Sequence, residues 1–158
     1  MGCPSAPRLL VTEAKEHPMD VGGVTWIVAA DAVEARVFAE RVRSGPVKEL
    51  TSMRMSATDA ERGLEADSGH HERHEDGDKA LRRFLRRVSS SLSLAATRGE
   101  YDRLVLMGPP RALGVLREVL PHTLTARVEA TDAHERRRDT PDEVRQHLRD
   151  ARARHPAG

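Results

Sequence analysis

The chain has 158 residues, of which 38% are hydrophobic, 32% charged and 3% aromatic, and its formal net charge is +1. This length suits a single domain with its own core. So few aromatic side chains argue against a stacking platform for single-stranded nucleic acid. The near-neutral charge excludes a global field that attracts DNA or a membrane, so any electrostatic function depends on local clusters.

The only cysteine is Cys3, which excludes an intramolecular disulfide and a metal site built from several thiolates. One cysteine suits the reducing cytoplasm. No window reaches the roughly 20 apolar residues of a membrane span, and the N-terminus lacks a signal-peptide core. We predict a cytoplasmic protein without a membrane partner, in which residues 1–22 are a disordered extension, 23–152 one α/β domain and 153–158 a flexible tail.

Three strands are predicted in the first third of the chain. Trp26 to Ala30 is a buried apolar run, and residues 35–40 alternate between the two sides of a strand. After the turn signal Ser44-Gly45-Pro46, residues 47–53 form a third strand. Their short connections favour an antiparallel meander.

A long loop and a long helix are predicted next. Residues 56–78 have no hydrophobic period and many charges, which is typical of a loop. Asp78 is a good helix cap. Apolar residues then recur on one helix face from Leu81 to Ala96, and Gly99 is predicted to end the helix.

The segment from Leu104 to Leu120 predicts a strand, a tight turn and a helix. The apolar run Leu104–Met107 stops at Gly108-Pro109-Pro110 and restarts with helical spacing. Proline is well accommodated in the first turn of a helix. Ligands of open α/β sheets bind at such strand–helix junctions, so we expect a functional edge here.

A strand over residues 124–130 and a last helix complete the predicted elements. Thr140 with Pro141 and Glu143 is typical of a capped helix start. The order βββαβαβα is that of a ribonuclease H-like mixed sheet, with right-handed crossovers. Two-metal nuclease chemistry is disfavoured, because it needs converging carboxylates and residues 79–98 contain none.

The chain resembles the bacterial host attachment protein family over residues 24–149. Residues 26–31 and 35–38 resemble its opening, residues 101–106 its middle and residues 128–132 its last strand. The most specific match is Pro110-x-x-Leu-Gly-x-Leu-Arg117.

This resemblance implies a fold like the middle domain of archaeal and eukaryotic peptide-chain release factors, and hence contact with RNA or the ribosome. The family is described as required for attachment to host cells. The chain departs from the family pattern at Ala32, where glycine is usual, and at Thr131, where lysine is usual. It also lacks the Gly-Gly-Gln tripeptide of release factors, so peptide release is not expected.

Five polar residues fall at predicted strand ends or at the strand–helix junction: Asp31, Arg36, Arg111, Arg117 and Asp132. They predict a ligand-binding edge, in which an arginine beside a helix N-terminus binds phosphate or carboxylate. The alternative is a structural ion-pair network, with Asp31–Arg36 or Arg117–Asp132 pairs, because structural pairs mimic functional ones.

The first long helix carries a basic stripe: Arg82, Arg83, Arg86 and Arg87. We interpret it as a contact surface for RNA phosphates, and the alternative is a solvated helix face. The arginines near the C-terminus are diluted by acidic neighbours in sequence, whereas this stripe is not, so it is the favoured RNA-binding surface.

The segment around His70 and His74 is a weak metal candidate. Histidines four residues apart share a helix face, but the His-Glu-x-x-His pattern is absent and Gly69 and Gly77 disfavour a helix. A solvated loop is the preferred interpretation. No catalytic triad, P-loop or dinucleotide fingerprint is present either, so no cofactor is expected.

The leading prediction is a non-enzymatic binding module for RNA or a ribosomal partner. One alternative is a small hydrolase or nucleotide-binding enzyme that uses the Asp31/Arg111 edge. Another is an attachment factor that acts at the cell surface.

Overall fold

The computed structural model describes residues 23–59, 61, 73–136 and 138–155. Its strands are β1 (Thr25–Ala30), β2 (Glu34–Glu40), β3 (Val47–Glu49), β4 (Met55–Ser56), β5 (Arg103–Met107) and β6 (Val128–Asp132). Its helices are α1 (Arg73–Thr97), α2 (Pro110–Val119), α3 (His122–Thr125) and α4 (Pro141–Arg154), and Thr51–Met53 forms a 3₁₀ turn. The predicted extension 1–22 lies outside the described residues.

The strands form one mixed sheet in the order β3-β2-β1-β5-β6, and β4 also pairs with β2. Strand β2 is antiparallel to β1 and β3, whereas β1, β5 and β6 are parallel. The expected mixed α/β architecture is confirmed. The two short elements β4 and α3 were not predicted.

Helices cover both faces of the sheet. On one face, Trp26 and Val28 of β1 belong to a core cluster with Phe84 and Leu92 of α1 and Leu116 of α2. On the other face, Ile27, Phe38 and Val105 belong to a cluster with Val144 and Leu148 of α4. All six β1 residues are buried, which explains the continuous apolar run from Trp26 to Ala30.

The predicted third strand, residues 47–53, is wrong beyond Glu49. The Leu50 amide donates to the Val37 carbonyl oxygen at 2.8 Å, and the chain then turns through Thr51–Met53. This turn lets Leu50 and Met53 pack against the core cluster. The chain rejoins β2 only as β4.

Helix α1 begins at Arg73, so the predicted cap at Asp78 is wrong. Acidic residues near a helix N-terminus complement its dipole, and a glycine inside a helix costs only about 1 kcal/mol, so Gly77 does not end it. The predicted C-terminus at Gly99 is confirmed: its φ is +72°, and the Glu100 amide donates to the Ala95 carbonyl oxygen at 3.0 Å.

The last strand begins later than predicted. Residues 122–125 form α3 and place Leu124 in the core, so β6 starts only at Val128. Before α4, the Thr140 hydroxyl accepts a hydrogen bond from the Glu143 amide and the Glu143 carboxylate accepts one from the Thr140 amide, which confirms the predicted cap. Because α4 runs to Arg154, the predicted tail begins inside this helix.

Candidate functional site

The carboxyl ends of β1, β5 and β6 meet at one edge of the sheet, the place where open α/β sheets bind ligands. The Gly108 amide donates to the Asp132 carbonyl oxygen at 3.0 Å. A Cβ atom on Gly108 would lie 2.4 Å from the Ala30 carbonyl oxygen. The turn after β5 is therefore packed against the ends of both neighbouring strands.

Asp31 holds the hairpin between β1 and β2. Its side chain is 7% exposed and accepts hydrogen bonds from the amides of Val33 at 2.8 Å and Glu34 at 2.9 Å. Its own amide donates to the Glu34 carbonyl oxygen. This pattern is typical of a side chain that stabilises a turn.

Arg36 is a buried structural residue. Its guanidinium donates to both carboxylate oxygens of Glu49, at 3.1 and 2.7 Å, and to the Asp139 carbonyl oxygen at 2.9 Å. This hydrogen bonding lowers the pKa of Glu49 to about 2, against the opposing effect of burial. Arg36 thus joins β2 to the segment before α4.

Arg111 lies at the mouth of a cleft beside this edge. It forms an ion pair with Asp78, and both side chains are about 60% exposed. An exposed pair contributes only about 0–1 kcal/mol, so this pair adds little to the stability of the fold. The cleft has a volume of about 450 Å³ and is lined by Ala32, Val33, Glu61, Gly77, Ala80, Leu81, Pro109, Arg111 and Ala112.

Asp132 is 1% exposed and is bound by residues that follow it in the chain. It contacts His134 Nδ1 at 2.6 Å, Arg136 Nε at 2.9 Å and Arg154 at 3.5 Å. Burial acts to raise the pKa of Asp132, but the hydrogen bonds from Arg136 and His134 lower it overall. The predicted Arg117–Asp132 pair is wrong, since these partners hold Asp132 and Arg117 is exposed in the last turn of α2.

The five predicted edge residues thus have different surroundings. Asp31 stabilises a turn, and Arg36 and Asp132 belong to separate ion-pair networks. Arg117 is exposed, and Arg111 lines the cleft. Sequence reasoning missed His134, whose imidazole is fixed by a buried carboxylate. The only available signal was its position two residues after Asp132.

The basic stripe on α1 is partly neutralised. Arg82 donates to Glu118 of α2 at 2.8 Å, and Arg87 donates to Glu61 at 2.9 and 2.8 Å. The hydrogen bond from Arg87 lowers the pKa of Glu61 to about 2, although burial opposes it. The prediction that no acidic groups dilute this stripe is therefore wrong for these two arginines, because the acids come from other segments.

Lys79, Arg83 and Arg86 of α1 are also exposed, and Arg83 takes part in an interaction of its own. Their spacing of four and three residues places them on one side of the helix. No carboxylate occurs on α1 between residues 79 and 97. This side of the helix is therefore basic and exposed.

A second ionic network lies at the opposite end of the sheet. Arg152 of α4 donates to Glu40 at 2.8 and 2.6 Å and to Glu129 at 3.0 and 2.8 Å. Glu40 is 1% exposed. Burial acts to lower the pKa of Arg152, but the hydrogen bonds to both carboxylates raise it overall. The sequence alone indicates only an arginine whose charge is diluted by acidic neighbours.

Within the described residues, no group of three or more histidine, cysteine or acidic side chains is placed to hold a metal ion. His70 and the side chain of His74 lie outside the described part, so the weak metal prediction there stays a prediction. No helix in the described ranges has the length and apolarity needed to cross a membrane.

The mixed sheet, with α1 and α2 on one face and α4 on the other, defines an α/β domain. Residues 26–148 match the family described as "Protein required for attachment to host cells". The chain belongs to this host attachment family, as its resemblance implied. Among curated proteins, no relative matches the chain.

Three solved structures are similar to this chain at low identity. An archaeal protein has 15% identity and a TM-score of 0.48, with 90% of this chain and 41% of that one covered. An archaeal translation termination factor has 12% identity and a TM-score of 0.45, with coverages of 70% and 31%. The Thermoplasma acidophilum Pelota protein has 13% identity and a TM-score of 0.43, with coverages of 92% and 38%. The chain thus spans less than half the length of each of these structures.

Proposed function

We propose that this host attachment domain is a non-enzymatic binding module that acts in the cytoplasm and contacts structured RNA, such as that of the ribosome. The observation that carries the proposal is the basic face of α1, on which Lys79 and Arg86 are exposed. Arginine and lysine on one helix face neutralise backbone phosphates and release their counterions.

The placement of the aromatic residues supports recognition of RNA by shape rather than by base stacking. All four aromatic side chains, Trp26, Phe38, Phe84 and Tyr101, are buried in the core. Single-stranded RNA is commonly read by exposed aromatic stacking, whereas duplex RNA is read through its backbone and 2′-hydroxyl groups. We therefore expect the module to prefer duplex RNA and to show little sequence preference.

The test is the affinity for an RNA duplex, measured by fluorescence anisotropy over a series of salt concentrations. Arg86→Gln should weaken binding and reduce the slope of log K against log salt by about 1, as expected for one lost phosphate contact. The matched control is Arg138→Gln, which removes an exposed arginine from the loop before α4. Binding that does not depend on salt, or equal loss in both variants, would contradict the proposal.

A second candidate function is the binding of a small anion in the cleft beside Arg111. The cleft volume of about 450 Å³ lies within the roughly 300–1,000 Å³ typical of ligand sites. Its described lining contains no serine, threonine or cysteine nucleophile, which favours binding over hydrolysis. Calorimetric titration with adenosine monophosphate should detect binding that Arg111→Gln weakens. Absence of heat in both proteins would eliminate this candidate.

We also propose that the domain has ribonuclease H-like architecture. The support is the position of β1 between an antiparallel β2 and a parallel β5, with helices packed on both faces. This proposal concerns the fold alone, since fold does not determine function.

A further inference from the structure

We propose that the end of the sheet opposite the Arg111 cleft carries a second binding site, specific for a phosphate group. A cavity of about 220 Å³ lies between the β2–β3 turn and α4. The turn contributes Arg43 and Ser44, and α4 contributes Arg145, Arg149 and Arg152. We call these residues, together with Glu40 beneath them, the arginine pocket.

The floor of the arginine pocket is rigid. Arg152 donates hydrogen bonds to Glu40, Glu129 and the Thr25 hydroxyl, at distances from 2.6 to 3.2 Å. Glu40 also accepts a hydrogen bond from the Ser44 amide at 2.8 Å. The buried Glu40–Arg152 pair therefore fixes the turn and the helix relative to each other, so the pocket is formed before any ligand arrives.

The other three arginines keep unused hydrogen-bond donors, and an arginine has five N–H groups in a fixed fork. Arg145 donates to the Ser44 carbonyl oxygen at 2.7 Å, but its buried Nε has no partner among the described residues. Arg43 approaches Glu129 only at 3.4 Å. Arg149 is exposed and makes no hydrogen bond or ion pair within the described residues.

The chemistry of the pocket selects a small, multiply charged oxyanion. Its four arginines outnumber the two carboxylates of Glu40 and Glu129, so the pocket retains positive charge. Guanidinium groups bind phosphate oxygens in bidentate geometry. A volume of about 220 Å³ is below the range of roughly 300–1,000 Å³ typical of drug-sized ligands. The structure thus favours a phosphate group, carried either by an RNA backbone or by a free phosphate compound.

This site is independent of the RNA-binding face proposed above. The arginine pocket contains no residue of α1, and the basic face of α1 contains no residue of α4. Substitutions in one site therefore test that site without altering the other.

The experiment uses inorganic pyrophosphate as the probe and isothermal titration calorimetry as the readout, on the full chain. Arg145→Gln/Arg149→Gln should raise the Kd at least about tenfold, since each charge-assisted hydrogen bond is worth about that factor. The matched control, Arg98→Gln/Arg138→Gln, removes two exposed arginines outside both sites and should leave the Kd unchanged. Arg149→Gln alone removes no described hydrogen bond or ion pair, so this variant should remain folded. It should also raise the Kd for pyrophosphate.

A second measurement distinguishes the two sources of phosphate. If a duplex RNA displaces pyrophosphate, and Arg145→Gln/Arg149→Gln also weakens RNA binding, the ligand is a backbone phosphate. If RNA affinity is unchanged while pyrophosphate affinity falls, the ligand is a free phosphate compound. An equal pyrophosphate Kd in the wild type and the Arg145→Gln/Arg149→Gln variant, or no binding to the wild type at millimolar concentration, would overturn the proposal.

Discussion

At the scale of single residues, Gly108 is the most constrained position at the candidate edge. A side chain there would meet the Ala30 carbonyl oxygen at 2.4 Å, and a backbone atom inside a sheet cannot move aside as a flexible side chain can. The glycine therefore allows the turn after β5 to lie directly against the end of β1. This contact positions Arg111, three residues later, beside the hairpin that Asp31 holds.

We predict that Gly108→Ala lowers the free energy of unfolding by about 1–3 kcal/mol, the usual cost of overpacking. Urea denaturation followed by circular dichroism measures this change. The control is Gly114→Ala in α2, where a Cβ atom meets nothing within 4 Å. That substitution should be neutral or stabilise the protein by up to about 1 kcal/mol. Equal effects at the two glycines would contradict the packing argument.

The sequence predicted where the edge residues lie but not what they contact. Asp31 and Asp132 do sit at the ends of β1 and β6, since strand ends follow from the apolar pattern. The partners of Arg36 are 13 and 103 residues away in the chain. Only tertiary packing creates such pairs. By contrast, the contacts of Asp132 with His134 and Arg136, two and four residues further on, are within reach of local spacing.

At the scale of elements, the start of α4 shows how a local signal fixes a helix. The Thr140 hydroxyl accepts a hydrogen bond from the Glu143 amide at 3.2 Å, and Glu143 Oε1 accepts one from the Thr140 amide at 2.7 Å. These bonds satisfy amides that a helix N-terminus otherwise leaves unpaired.

We predict that Thr140→Ala lowers the free energy of unfolding by about 1 kcal/mol, as loss of an N-cap usually does. The measurement is chemical denaturation. Thr140→Ser keeps the hydroxyl and serves as the control, with an expected loss well below that of alanine. If serine and alanine prove equally destabilising, the hydroxyl hydrogen bond is not the cause.

The elements with strong periodicity and caps agree best with prediction, and each disagreement has a physical reason. Residues 50–53 are predicted to continue the third strand, but they turn instead, and the partly buried Leu50 and Met53 pack against the core. Gly77 suggests a break in α1, yet the helix continues through it. Packing thus outweighs local propensity at Leu50 and Met53, whereas Gly77 is tolerated because one glycine costs a helix only about 1 kcal/mol.

At the scale of the whole molecule, two ionic networks join α4 and the segment before it to the sheet. Arg36 links Glu49 of β3 to the Asp139 carbonyl oxygen. Arg152 links α4 to Glu40 of β2 and to Glu129 of β6. Ion pairs that hold elements together make the stability of the fold depend on pH.

We predict a loss of stability in acid. Hydrogen bonds from Arg36 and Arg87 lower the pKa values of Glu49 and Glu61 from 4.5 to about 2. Both groups therefore bind fewer protons in the folded than in the unfolded state. The stability that they add is fully present above pH 4.5 and is lost as the pH falls towards 2, with about 1–3 kcal/mol for each.

Urea denaturation at a series of pH values tests this expectation. Glu49→Gln should lower stability at neutral pH and flatten the acid dependence. Glu100→Gln, which removes an exposed carboxylate without a described ion pair, is the control and should leave the curve parallel to that of the wild type. A Glu49→Gln curve that also stays parallel would contradict the role of this pair.

The division of one sheet edge between β3 and β4 has a consequence for how copies of the protein meet. These strands have three and two residues, and the 3₁₀ turn separates them. A long, flat edge strand offers a continuous row of free backbone groups to another chain, whereas short and interrupted edges do not. This edge therefore gives an approaching copy no extended template for strand pairing, which guards the domain against aggregation at high concentration.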